Sequence, residues 1–207
     1  MAQYFQIHPD TPQKRLIKQA VSLLQESGVI VYPTDSCYAL GCRIGDKSAL
    51  ERIQQIRHLD KQHNLTLICS DLSKIGVYAR VDNASFRLIK SLTPGPYTFL
   101  LKATRDVPRR LQHPRRKTIG LRVPDNCITL SLLEELDEPM LNTSLILPGD
   151  NLPLTDPEQI VDRLGEVIDL VIDGGYGGLE PTTVVDLVEG SPRVIRIGKG
   201  DIANIGA

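Results

Sequence analysis

The chain has 207 residues, of which 41% are hydrophobic and 24% charged, with a formal net charge of −1. That length suffices for a sizeable core, and the composition excludes wholesale disorder. Near-neutral charge excludes nucleic-acid or membrane binding that relies on the overall field, so any basic surface has to be local.

The opening MAQYFQIHPD has no basic start followed by an apolar run, so no secretory leader is expected. No apolar stretch approaches the roughly 18–20 residues of a membrane span. TPQKRLIKQAVSLLQESG reads as a helix, with Asp10 or Thr11 as cap, Pro12 in the first turn and Gly28 as stop. A strand over Val29–Tyr32 then runs into Pro33, Thr34, Asp35, Ser36 and Cys37, and a second strand is expected from Tyr38 to Cys42.

DKSALERIQQIRHL is an amphipathic helix capped by Asp46, and LTLICS (65–70) is an apolar strand of the kind covered on both faces. Asp71 and Asp82 cap two short helices. TPGPYTFLLKA is a turn and a strand, TIGLRVP (118–124) another strand, and CITLSLLEEL a helix. A short strand from Met140 to Thr143, the polar loop LPGDNLPL, and a helix with Asp156 as cap and Pro157 in its first turn follow. VIDLVID, TVVDLV and RVIRIG are strands. Helices and strands alternate without repeat or linker, which predicts one α/β domain over 1–207 with a mixed sheet.

Cys37, Cys42, Cys69 and Cys127 lack C-x-x-C spacing. Reduced thiols in a cytoplasm are therefore expected, and neither the cysteines nor His8, His58, His63 and His113 suggest zinc. Cys37 has no histidine in a recognisable cysteine-hydrolase context and reads as a buried thiol. DGGYGGLEPTT (173–183) and GKGD (198–201) lack the Walker order and are not followed by helices, so both read as glycine loops.

RDVPRRLQHPRRK (105–117), with Arg109, Arg110, Arg115, Arg116 and Lys117, is the local basic surface. Such a run is usually a solvated loop. It abuts a strand ending in Arg122, however, and without interleaved aromatics it suits phosphate contact rather than base stacking. Hydroxyls recur at strand ends: Thr34 and Ser36, Thr118, Thr143 and Ser144, Thr182 and Thr183. Each can satisfy a turn, yet open α/β sheets bind ligands at strand ends, where hydroxyls and arginines converge on carboxylate and phosphate oxygens.

GVIVYPTDSCYALGC, TPGPYTFLLKA, TIGLRVP, LNTS, TTVVDL and VIRIG, in this order over nearly the whole chain, resemble the YrdC-like family of L-threonylcarbamoyl-adenylate synthases. FQIHPDTPQKRLIKQA, RRKTIGLRVP and LILPG look closest to its YciO branch. The resemblance implies an α/β (α+β) fold, a twisted mixed β-sheet flanked by helices around a large concave basic cleft. It implies condensation of threonine, bicarbonate and ATP on the way to a modified adenosine in tRNA. Thr34, Arg122 and Thr182 then serve the threonine side, with Arg122 on the carboxylate. Arg57, Thr118, Ser144 and Arg196 serve the nucleotide and its phosphates, Thr182 and Arg196 being the downstream contacts.

The family's Lys-x-Arg is Arg57-His58-Leu59 here, and its Ser-x-Asn is Ser144-Leu145-Ile146. Each charge-assisted hydrogen bond lost costs about 1.5–3 kcal/mol, which predicts weak synthesis from ATP and leaves hydrolysis of the adenylate open. No general base stands out; Asp35 is a candidate by position. The implied ligand is of ATP or AMP type, with no tightly bound cofactor and magnesium left open. A non-catalytic module for tRNA or double-stranded RNA is the alternative. The oligomeric state has no sequence signal.

Overall fold

A computed structural model describes residues 1–60, 63–203 and 205. The strands are β1 (Gln3–Gln6), β2 (Ile30–Tyr32), β3 (Ala39–Arg43), β4 (Thr66–Ile68), β5 (Ala79–Arg80), β6 (Tyr97–Ala103), β7 (Thr118–Arg122), β8 (Met140–Ser144), β9 (Leu170–Asp173), β10 (Thr183–Asp186) and β11 (Arg193–Arg196). The α-helices are α1 (Lys14–Gln25), α2 (Lys47–Arg57), α3 (Leu72–Tyr78), α4 (Asn83–Leu92), α5 (Cys127–Leu136) and α6 (Pro157–Leu164). All strands belong to one mixed sheet in the order β1-β9-β2-β3-β8-β4-β7-β6-β10-β11, with β5 paired to β6.

The caps read from sequence form. Asp46, Asp71, Asp82 and Asp156 accept backbone amides of the first turns of α2, α3, α4 and α6, and Asn126 does so for α5. The first helix starts later than expected, at Lys14 after Gln13. The His8 ring nitrogen accepts the amides of Asp10 and Thr11, holding them in a turn outside the helix. Gln3–Gln6, polar and largely exposed, was not expected as a strand; it pairs in parallel with β9 at the sheet edge.

Because strand side chains alternate between faces, register decides what each face holds. On one face Val31, Leu40, Leu67, Phe99, Leu121 and Leu141 pack with Ile53 of α2, Ile75 of α3, Ile89 of α4 and Ile160 of α6. On the other, Ile30, Tyr32, Ala39, Ile68, Met140 and Ile172 pack under Val21 of α1 and Leu132 of α5. These two helices cover that face over β1, β9, β2 and β3 and over the Met140 and Ile68 ends of β8 and β4. Farther along that face the register aligns Gly41, Asn142, Thr66, Gly120 and Leu100, and here the sheet opens into a cleft. Among the described residues no helix is long and apolar enough to cross a membrane.

Candidate functional site

Pro33 ends β2, and the chain turns around the Thr34 hydroxyl. That hydroxyl donates to the Cys37 carbonyl at 2.6 Å and accepts the amides of Ser36 at 3.2 Å and Cys37 at 3.3 Å. Thr34 therefore builds the turn, and its hydroxyl is engaged by the chain itself rather than offered to a ligand. Cys37 lies buried beneath it. The turn brings Asp35 to Arg122 at the end of β7: Arg122 Nη2 donates to Asp35 Oδ1 and lies 3.4 Å from Thr34 Oγ1. Both members of this pair are buried, at 2% and 9% exposure, yet Arg122 Nε and Asp35 Oδ2 lack partners. Buried donors and acceptors are paired in the great majority of cases, so two orphans in one ion pair call for a further polar partner, a water or a ligand group.

The adjoining cleft has a volume of about 430 Å³, ample for a nucleoside monophosphate. Ser144, Thr182, Arg57 and Arg196 all line it, although they lie far apart in sequence. Thr66, Thr98 and Asn142 form much of its polar floor, and the Asn142 side-chain oxygen accepts the Tyr32 hydroxyl at 2.7 Å. Gly120 keeps the floor open: a Cβ there would lie 2.6 Å from Thr66 Oγ1. Arg196 donates to the Thr182 carbonyl at 2.9 and 3.1 Å and to its hydroxyl at 3.1 Å, which lies 2.8 Å from the Thr98 hydroxyl. Arg57 Nε and Asn64 Oδ1 are further buried polar atoms without partners, and both residues line the cleft.

The cations crowd one another. Burial lowers the affinity of Arg57 for its proton, with the nearby Cys37 thiol acting in the opposite direction. Burial does the same to Arg196, opposed by Cys37 and reinforced by Arg122. Both arginines stay charged at neutral pH. His63 is held below the usual imidazole range by burial, then by Arg57 and Arg196, against the pull of Asp60. An anion in the cleft would relieve all of these at once.

Two expectations need correction. Thr118 shares the face of Arg122 but sits four residues away, about 13 Å along the strand, and does not line the cleft. Its buried hydroxyl instead lies without a partner where the strand emerges from the basic loop. Arg116 is engaged within the chain as well. It pairs with the buried carboxylate of Asp186, which also draws Arg193 to 3.5 Å. Although burial alone would raise it, these contacts hold the Asp186 carboxyl below its ordinary range. Arg109, Arg110 and Lys117 do border the site: they line a depression that shares Asp60 and His63 with the cleft. Arg115 is exposed and lines neither.

The DGGYGG loop is fastened to the turn, since the Tyr38 hydroxyl donates to the Gly175 carbonyl at 2.6 Å and accepts the Gly174 amide at 3.2 Å. A larger cavity near β1, about 570 Å³, is lined by Asp156, Glu158 and Asp173 with no lysine or arginine, so it does not suit an anion.

Residues 22–198 match the Sua5_yciO_yrdC family, described as telomere recombination. The chain belongs to this Sua5/YciO/YrdC family. It is 59% identical to YciO of Escherichia coli (strain K12) over 202 residues, 98% of each chain. The crystal structure of E. coli YciO superimposes with a TM-score of 0.96 over 99% of this chain and 100% of that one. A threonylcarbamoyl-AMP synthase of Chromobacterium violaceum is 33% identical over 190 residues, 91% of this chain and 96% of its own. The crystal structure of P. abyssi Sua5 complexed with L-threonine is 25% identical with a TM-score of 0.86, covering 94% of this chain and 57% of that one. The YrdC-like fold expected from the sequence is the one observed.

Within this family frame the two motif departures separate. Ile146 lines the cleft with apolar surface, whereas Leu59 packs against the larger core. Sequence reasoning missed His63 and Asn64 as wall residues and Thr66, Thr98 and Asn142 as floor residues. The signal for the floor was present: each is a polar residue set into an otherwise apolar strand, in TLI, YTFLLKA and MLNTS. The remaining histidines serve the backbone: the His8 and His113 rings accept turn amides, and His58 caps α2.

Proposed function

We propose that the cleft binds an adenylate of the threonylcarbamoyl kind, linked to tRNA threonylcarbamoyladenosine chemistry, and that hydrolysis of this adenylate outweighs its synthesis from ATP. Its phosphate would lie between Arg57 and Arg196, and its amino-acid carboxylate toward Arg122. One observation carries the reading: Arg57, Ser144, Thr182 and Arg196 converge on one cleft that also holds the unpartnered buried atoms of Arg57 and Asn64. The names of the threonylcarbamoyl-AMP synthase relative and of the threonine-bound Sua5 structure support the ligand class.

Ile146, where the resembled family has an asparagine, supports weak retention of a triphosphate. Water adding to the carbamoyl carbon would break its bond to the phosphate, releasing AMP and a carbamate that loses CO₂ to give threonine. Arg57 and Arg196 would stabilise the departing phosphate. A magnesium ion would be held chiefly through the ligand's phosphates. The free cysteines support a reducing, cytoplasmic setting.

Arg109, Arg110 and Lys117, bordering the cleft, favour a second reading in which the backbone of RNA lies along this surface. Mass spectrometry of the protein incubated with preformed adenylate, and separately with ATP, threonine and bicarbonate, decides between them. The expected result is AMP and threonine from the adenylate, with slow formation from ATP. An adenylate neither bound nor consumed, together with RNA binding that weakens steeply with salt, would overturn the first reading in favour of the second.

A further inference from the structure

The GKGD segment near the C-terminal end is a strap, not a mobile loop. The Lys199 amide donates to the Pro181 carbonyl at 2.9 Å and the Gly198 amide to the Thr183 hydroxyl at 3.0 Å. The Thr183 hydroxyl in turn donates to the Gly200 carbonyl at 2.7 Å, and the Tyr97 hydroxyl to the Asp201 carbonyl at 3.0 Å. Neither flanking glycine has a positive φ; both are required by close approach. A Cβ on Gly198 would lie 2.2 Å from the Pro181 carbonyl oxygen, and one on Gly200 would lie 2.4 Å from the Tyr97 ring. Two residues without side chains thus press the chain onto β6 and β10 and leave the side chain between them to project.

That side chain is Lys199, and its ammonium donates to the backbone carbonyl of Asp35. Asp35 is therefore bracketed by two cations, Lys199 on its carbonyl and Arg122 on its carboxylate. Lys199 is exposed, and three donors on an ammonium leave two beyond the one given to Asp35. At the same corner Arg122 Nε is buried and unpartnered, while Arg122 Nη2 is already held by the chain's own carboxylate. A ligand carboxylate reaching this corner meets an arginine whose charge is largely answered by Asp35. A second positive group is needed to balance it, and Lys199 stands within one residue's reach.

Resting on the proposal that the ligand's amino-acid end lies toward Arg122, we infer that Lys199 is a ligand-binding residue that supplies the second cation for that carboxylate. On binding, the ammonium turns from the neutral Asp35 carbonyl to the ionised oxygen, a charge-assisted hydrogen bond about twice as strong as a neutral one. The flexible four-carbon stem of lysine permits this without moving the strap. The backbone hydrogen bonds of residues 198–201 hold the strap independently of the side chain.

The test is calorimetric titration of the full chain and of Lys199→Met and Lys199→Arg with three probes: AMP, L-threonine and L-threoninamide, which lacks the carboxylate. Lys199→Met should weaken threonine binding at least about ten-fold, leave AMP within about two-fold, leave threoninamide unchanged, and keep the melting temperature of the parent chain. Lys199→Arg should restore most of the threonine affinity. Unchanged threonine affinity in Lys199→Met overturns the inference. So does an equal loss for AMP and threonine with a lowered melting temperature, which would make the lysine a latch for the strap. If the unmodified chain binds neither AMP nor threonine, the proposed function falls and this inference with it; if it binds both and Lys199→Met changes nothing, only the inference falls.

Discussion

One face of the sheet is used in two ways. Beneath α1 and α5, Ile30, Tyr32, Ala39, Met140 and Ile172 are closed with almost no exposure. On the same face, where those helices no longer reach, Thr66, Thr98, Asn142 and Ser144 form the floor of an open cleft, so that β8 gives Met140 to the one region and Asn142 to the other. The strands are continuous and hydrogen-bonded throughout, so the difference lies wholly in the side chains and in what covers them. A covered face gains from apolar burial and tolerates no unpaired polar atom. The open face lets Arg57, Asn64 and, at the corner, Arg122 and Asp35 keep polar atoms without protein partners. Stability is concentrated in the first region and ligand chemistry in the second.

The boundary between them is the sharpest place to break this contrast. Arg122 and Asp35 have side chains as buried as core residues, yet each keeps a polar atom without a partner. Arg122→Ala should cost about 3–5 kcal/mol in chemical denaturation, because it strands a buried carboxylate, and Asp35→Ala in the same chain should recover much of that loss. Equal stability of Arg122→Ala and the parent chain would show that the corner is solvated like the rest of the cleft.

The next effect separates the regions directly. Leu132→Ala, on the buried side of α5, should cost about 2–5 kcal/mol while leaving AMP affinity unchanged in the folded protein. Gly120→Val should do the reverse in kind: its side chain would meet Thr66 and Thr98 on the floor and lower AMP affinity at least about ten-fold. AMP affinity lost equally in both variants would erase the division.

The smallest effect concerns the proton on His63, faced by Arg57, Asp60 and Arg196. In the free cleft its pKa is lowered, so the neutral ring prevails at neutral pH. A bound phosphate favours the imidazolium, so binding takes up a proton and affinity should rise as pH falls from about 8 toward about 6.5. The gain should be about two- to five-fold, less than the ten-fold per pH unit of a fully coupled proton. His63→Gln, compared at each pH so that titration of AMP itself cancels, should flatten the profile. Identical profiles would remove the imidazole from the phosphate's surroundings.

By itself the sequence determined most of the element pattern and pointed to several residues that line the cleft. Asp46, Asp71, Asp82 and Asp156 cap helices because their side chains bond amides two or three residues on, a local matter. The strands through Leu67, Phe99, Leu121 and Val171 were legible from apolar runs too short for helices. Family resemblance pointed to Arg57, Ser144, Thr182 and Arg196, which the structure gathers along one cleft. The tertiary structure decided whatever depends on a partner distant in the chain. Gln3–Gln6 is a strand only because β9, more than 160 residues later, supplies its hydrogen bonds. Arg116 is paired with Asp186, and the Thr34 hydroxyl is taken up by the turn it organises. Register alone brought Thr66, Thr98 and Asn142 to one floor, and two close approaches at Gly198 and Gly200 turned an apparent glycine loop into the mount for Lys199. Local hydrogen bonding and periodicity are written along the chain, whereas which polar groups find a partner is settled only when distant segments meet.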